Sequence, residues 1–137
     1  MLGVTLDTNI YVSALEFGGI GARLIGMARA GVIRIDVSDA ILDELVTVLR
    51  DDFLCEAYRM HFARQQLAKL GNLVTPRTAI DAVKEDPDDN RILECGVEAG
   101  SEFIVTSDRD LLRMGEYRSI KIVTASQFLG QYRALGK

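Results

Sequence analysis

Cysteine and histidine are scarce: Cys55, Cys95 and His61 are all that the 137 residues contain. The cysteines stand far apart with no other Cys or His at zinc-ligand spacing, so they read as free thiols rather than a disulfide or a structural metal site. A single histidine argues against a metal-free ribonuclease built on a His general acid and a His general base, and His61, beside Phe62, reads as a packing or surface residue. Positive charge is also short. The net charge of −4 and pI near 5.0 disfavour an architectural nucleic-acid binder, although an enzyme can still act on nucleic acid through metal ions and a local Arg cluster. No apolar run reaches membrane-spanning length, and Asp7 interrupts the apolar start before it resembles a signal peptide. The expectation is a cytoplasmic protein with no membrane contact.

The chain is 48% hydrophobic and 26% charged, a composition that supports one core and predicts a single domain over 1–137. Val4-Thr5-Leu6 reads as a short buried strand ending at Asp7. Ile20, Leu24, Ile25 and Ala28 keep helical spacing up to Gly31. Val32 to Val37 reads as a second strand, in which Ile35 and Val37 alternate with Arg34 and Asp36. Ser38 caps a helix striped by Ile41, Leu42, Leu45, Val46 and Leu49. A further helix is expected from Phe53 to Leu70, with Leu54, Tyr58, Phe62 and Leu67 near one face, then an edge strand at Leu73-Val74-Thr75. Arg77 to Asn90 is polar and reads as a connection. A helix carrying Ile92, Leu93, Gly96 and Val97 follows and stops at Gly100. Phe103 to Thr106 is the clearest buried strand. A short helix with Leu111 and Leu112, a strand from Ile120 to Val123, and a helix capped by Ser126 and running through Leu135 complete the chain. The alternation predicts an α/β sandwich around a mainly parallel sheet.

Four acids occupy positions that this fold would bring together: Asp7, Glu44, Asp89 and Asp108. Asp7 and Asp108 each follow an apolar strand, and ligands in open parallel sheets bind at the strands' carboxyl ends, where strand order reverses. Glu44 lies at the border of an apolar helical stripe, with Asp43 only slightly farther round, so the helical wheel does not choose between them. Asp88 and Asp89 compete to cap the next helix. Singly, each acid suits a turn or a cap; two at strand ends point to a site. Crowded carboxylates repel unless one is protonated or a cation neutralises them. An all-oxygen set selects Mg²⁺ or Mn²⁺, metals that serve phosphate chemistry.

These motifs resemble the PIN-domain nucleases, especially the toxin branch of toxin-antitoxin modules. Leu6-Asp7-Thr8-Asn9-Ile10 is similar to the family's first motif, and Ile41-Leu42-Asp43-Glu44-Leu45 to its second. The stretch from Asp86 to Leu93, followed by Phe103 to Leu112, is similar to its third and fourth. Ile122-Val123-Thr124 leading to Gln127-Phe128-Leu129 also matches this branch. The resemblance implies a three-layer α/β/α sandwich and RNA phosphodiester hydrolysis by Asp7, Glu44, Asp89 and Asp108. Asp7, Asp89 and Asp108 would hold Mg²⁺ or Mn²⁺, Glu44 would orient water or a second metal, and Asn9, Thr106 and Ser107 would be polar neighbours. It also implies a cognate antitoxin and a homodimer. Asp86, Asp88 and Asp110 compete with Asp89 and Asp108; Asp89 is preferred because it directly precedes the apolar helical run. The expected chemistry is in-line attack by water, leaving 5′-phosphate and 3′-hydroxyl ends, with Arg91 and Arg109 near the RNA backbone or in structural ion pairs. Two alternatives differ in class. One is an aspartyl-nucleophile phosphohydrolase, which would ordinarily carry a second Asp where this chain has Asn9. The other is a non-catalytic protein-binding module with the same fold.

Overall fold

The computed structural model describes residues 1–134. In chain order the elements are β1 (Leu2–Leu6), α1 (Thr8–Phe17), α2 (Gly19–Arg29), β2 (Ile33–Ser38), α3 (Asp39–Phe53), α4 (Ala57–Leu70), β3 (Asn72–Val74), α5 (Pro87–Ala99), β4 (Phe103–Val105), α6 (Arg109–Met114), β5 (Glu116–Tyr117), β6 (Ile120–Val123) and α7 (Ala125–Ala134). The strands form one sheet in the order β3-β2-β1-β4-β6-β5. All neighbours run parallel except β5 and β6. Val4, Thr5 and Leu6 are buried in succession, so helices cover both faces of the sheet, as the α/β/α architecture requires.

That double coverage changes the reading of β2. Arg34 and Asp36 alternate with Ile35 and Val37, yet Asp36 is fully buried. Its carboxylate accepts from Arg34 Nε at 2.6 Å, Asn72 Nδ2 at 3.0 Å and Ser101 Oγ at 2.6 Å. Arg34 also donates to the Ala99 carbonyl at the end of α5. Its guanidinium lies over Gly3, where a Cβ would stand only 2.1 Å from Nη2. Glycine is therefore needed at residue 3 to admit the charge pair.

Several elements depart from the sequence expectations. α1 was not anticipated; Asp7 caps it, and Gly18 (φ 74°) and Gly19 (φ 64°) supply the left-handed corner that turns the chain into α2. The helix expected from Phe53 to Leu70 forms but starts later, as α4 from Ala57 to Leu70. α3 ends at Phe53, Leu54 adopts φ 50°, and α4 begins at Ala57. α4 buries Met60 and Leu67 while Tyr58 and Phe62 stay exposed, because helical spacing reveals a stripe without saying what the stripe packs against.

The polar connection between residues 77 and 90 is also packed. Ile80 and Val83 are core residues, held where Asn90 Oδ1 accepts from the N–H groups of Ala82 and Val83 and Asn90 Nδ2 donates to the Val83 carbonyl. β5 pairs with β6 through a two-residue turn at Arg118 and Ser119, both at positive φ. Ser126 is not the cap of α7. Thr124 fills that role reciprocally with Gln127, each backbone N–H donating to the other's side chain, and Leu135 lies outside the described residues. Cys55 and Cys95 are free thiols. No single helix among the described residues is long and apolar enough to cross a membrane.

Candidate metal centre

β1 and β4 are adjacent and parallel, with Leu6 beside Val105, and the sheet order reverses between them. Chain direction places Asp7 and Asp108 just beyond their carboxyl ends, at the crevice where such sheets bind ligands. The Asp7 N–H continues the ladder to the Val105 carbonyl. Thr106 joins the two acids: its Oγ1 donates to Asp7 Oδ2 at 2.5 Å and accepts from the Asp108 N–H at 2.9 Å. Asp7 is only 4% exposed. Burial pushes its carboxyl above the ordinary range, opposed mainly by the Thr106 hydrogen bond and reinforced by nearby Asp108.

α5 brings the third motif to the same crevice. Asp86 is its N-cap, accepting from the Asp88 N–H at 3.1 Å, and Pro87 occupies the first turn without losing a needed hydrogen bond. Asp89 therefore does not open the helix; it lies within the first turn and is 4% exposed. One carboxylate oxygen from each of Asp86, Asp89 and Asp108 lies within 4.8 Å of the others. Burial, then the charges of Asp108, Asp86 and Asp7, push the Asp89 carboxyl up to about 8.

The acids that the sequence left in competition have different surroundings. Asp88 is exposed. Asp110 ion-pairs with Arg113 at 3.5 Å. Asp86 joins Asp89 and Asp108, so the compact trio shares two members with the expected set of Asp7, Asp89 and Asp108. The missed signal was the three-residue spacing between Asp86 and Asp89, which puts both carboxylates on one side of a helix start. On α3, Glu44 turns inward and its Oε2 accepts from Thr8 Oγ1 at 2.9 Å, whereas exposed Asp43 pairs with Arg64 at 2.8 Å. Burial raises the Glu44 carboxyl, with Thr8 opposing and Asp88, Asp7 and Asp86 adding to the rise. Thr8, which sequence reasoning did not single out, thus anchors Glu44.

Positive charge from the protein does not neutralise this crevice. Among the described residues the ion pairs of Arg and Lys involve Asp36, Asp39, Asp43, Asp51, Asp81, Glu94, Glu98 and Asp110, and none involves Asp7, Glu44, Asp86, Asp89 or Asp108. Arg91 is occupied by Glu94 and the Ile80 carbonyl, a structural role. Asn9, Ser107 and Arg109 are exposed beside the site. Asp89 Oδ2 is buried without a hydrogen-bond partner. Such an oxygen is unfavourable unless protonated or matched by a cation, and its position among carboxylate oxygens fits a hard divalent ion.

A family model described as PIN domain matches residues 3–110. The chain belongs to the PIN domain family. PIN domains are generally nucleases that use divalent metals, and the Asp86–Asp89–Asp108 cluster of this PIN domain is compatible with metal binding. A search of the curated proteins found no match.

Proposed function

We propose that this PIN domain is a Mg²⁺- or Mn²⁺-dependent endoribonuclease, the toxin of a cytoplasmic toxin-antitoxin module, working as one domain over 1–137. The observation that carries the reading is the unpartnered, buried Asp89 Oδ2 among carboxylates that lack protein cations. Asp89, Asp108 and Asp86 would hold the divalent ion, with Asp7 completing the negative wall. When bound, such an ion offsets charge on phosphoryl oxygens and acidifies water. Thr106 holds Asp7 in one rotamer and ties it to the start of α6. Glu44 has one oxygen fixed by Thr8, so Oε1 is the atom that orients attacking water or takes its proton. Arg109, Ser107 and Asn9, exposed beside the crevice, would meet the RNA backbone.

Attack in line with the leaving 3′-oxygen yields 5′-phosphate and 3′-hydroxyl ends without a covalent enzyme intermediate. The aspartyl-nucleophile alternative asks Asp7 to reach a phosphoryl group, yet its carboxylate is buried and engaged by Thr106 and the Asn9 N–H. A cognate antitoxin would restrain the enzyme by covering the acidic crevice.

The test is cleavage of RNA by the purified chain with Mg²⁺ or Mn²⁺, followed by sequencing of the ends. EDTA and Asp108→Asn should each abolish cleavage. Cleavage that persists in EDTA, or cyclic-phosphate ends, would reject the reading.

A further inference from the structure

A cavity of about 200 Å³ opens beside the acidic crevice, between the stretch that leads into α5 and the helix α6. Ala82, Val83 and Glu85 form one wall, and Asp110, Arg113 and Met114 form the other. Both walls are tied to the candidate metal centre. Glu85 immediately precedes Asp86, and the Asp110 N–H donates to the Asp108 carboxylate at 2.8 Å. Asn90, next to Asp89, holds the first wall in place through its amide bonds to the backbone of Ala82 and Val83. A nucleic acid with a phosphate in the crevice would therefore carry a neighbouring base past the mouth of the cavity. The volume falls below the roughly 300 Å³ at which sites for drug-sized ligands begin, so it suits a single ring system.

The lining combines apolar surface with one cation and one anion that are free to bind. Val83, Ala82 and Met114 offer surface for a flat ring to pack on, and a methionine sulfur is a favourable neighbour for an aromatic system. Arg113 Nη1 lies 3.5 Å from Asp110 Oδ1, with the arginine side chain 72% exposed. A pair so long and so exposed contributes little, and it occupies one nitrogen of a guanidinium that carries five N–H donors. Glu85 is exposed and takes part in no ion pair among the described residues. A guanidinium only donates and a carboxylate only accepts. Guanine answers both, because O6 and N7 accept along one edge while N1–H and the N2 amino group donate along the next. Adenine would turn its N6 amino group toward the guanidinium. Uracil has one N–H between two carbonyls, cytosine gives the carboxylate one amino group, and either fills the space with a single ring.

We propose that this cavity is a base-specificity subsite that takes an unpaired guanine next to the bond to be cut, with Arg113 on O6 and N7 and Glu85 on N1–H and the N2 amino group. The proposal rests on the reading of the crevice as an RNA-cleaving centre and gives that centre a sequence preference. The probes are short oligouridines carrying one guanosine, one inosine, which lacks the N2 amino group, or one 7-deazaguanosine, which lacks the N7 acceptor. Cleavage is followed in Mn²⁺, and binding is followed separately by fluorescence anisotropy in Ca²⁺. The wild type should favour guanosine over each analogue by about tenfold. Glu85→Ala should bring the guanosine-to-inosine ratio near one and keep the discrimination against 7-deazaguanosine; Arg113→Ala should do the reverse. Both side chains are exposed, so neither variant disturbs the core, and a merely structural loss would lower all three probes together. Guanosine-selective binding that follows this pattern without any cleavage supports the subsite and rejects the nuclease reading. Cleavage with no guanosine preference, a preference that persists in both variants, or equal losses on all three probes overturns the subsite and leaves the nuclease reading standing. Neither cleavage nor guanosine-selective binding overturns both.

Discussion

The Thr106 hydroxyl is shared between two acids, donating to the Asp7 carboxylate and receiving the Asp108 N–H. One side chain thus fixes the spacing between the ends of two parallel strands. Thr106→Val keeps the shape and removes both hydrogen bonds. Activity should fall about 10–100-fold, with a stability loss of about 1–3 kcal/mol, while Thr106→Ser recovers most of both. Steady-state cleavage rates and urea melts check this; an unimpaired valine variant would sink it.

As a proposed metal ligand, Asp89 should oppose stability until an ion binds. In the metal-free protein near neutral pH, Asp89→Asn should leave stability unchanged or raise it, because the cost of holding a buried carboxyl in its protonated form disappears. Wild type at an Mn²⁺ concentration 100 times Kd should gain about 2.7 kcal/mol, and the variant should lose most of that gain. Thermal melts with and without Mn²⁺, together with calorimetric titration, distinguish binding from activity.

The same carboxyl predicts a pH signature. Its folded pKa of about 8 lies above the ordinary 3.8, so the folded state holds the proton more tightly than the unfolded state. That contribution is complete below about pH 4, declines as pH rises, and is gone above about 8. In EDTA, wild type should lose stability over this window more steeply than Asp89→Asn. Mn²⁺ affinity should climb over the same window as metal displaces the proton. Parallel melting curves for the two proteins would contradict the assignment.

Glu44 and Asp43 are neighbours with opposite surroundings, one hydrogen-bonded to Thr8 and the other paired with Arg64. Glu44→Gln should reduce cleavage about 10²–10⁴-fold while Mn²⁺ affinity changes little. Asp43→Asn should cleave at nearly the wild-type rate. Equal losses in the two variants would remove Glu44 from its special position.

The strand-end acids were legible because Val4 to Leu6 and Phe103 to Val105 are short apolar runs that each lead into an Asp. Their adjacency was not, since the pairing of β1 with β4 is a long-range choice that no local pattern encodes. Asp86 stayed in competition with Asp89 because a cap carboxylate and a candidate metal ligand look the same in sequence; the structure makes it both the N-cap of α5 and a member of the Asp86–Asp89–Asp108 cluster. Asn90 was absorbed into a polar stretch, although its amide organises that stretch and carries Ile80 and Val83 into the core. Tyr58 and Phe62 kept helical spacing but faced outward, because periodicity cannot tell an internal partner from an external one.

Asp36 has one further consequence, for how the chain avoids misthreading. If β2 slid by a single residue, every side chain would change face. The carboxylate would leave Arg34, Asn72 and Ser101 for hydrocarbon, and the guanidinium would lose its berth above Gly3. A wholly aliphatic strand could tolerate neighbouring alignments; this one carries an ionic key that turns in only one position.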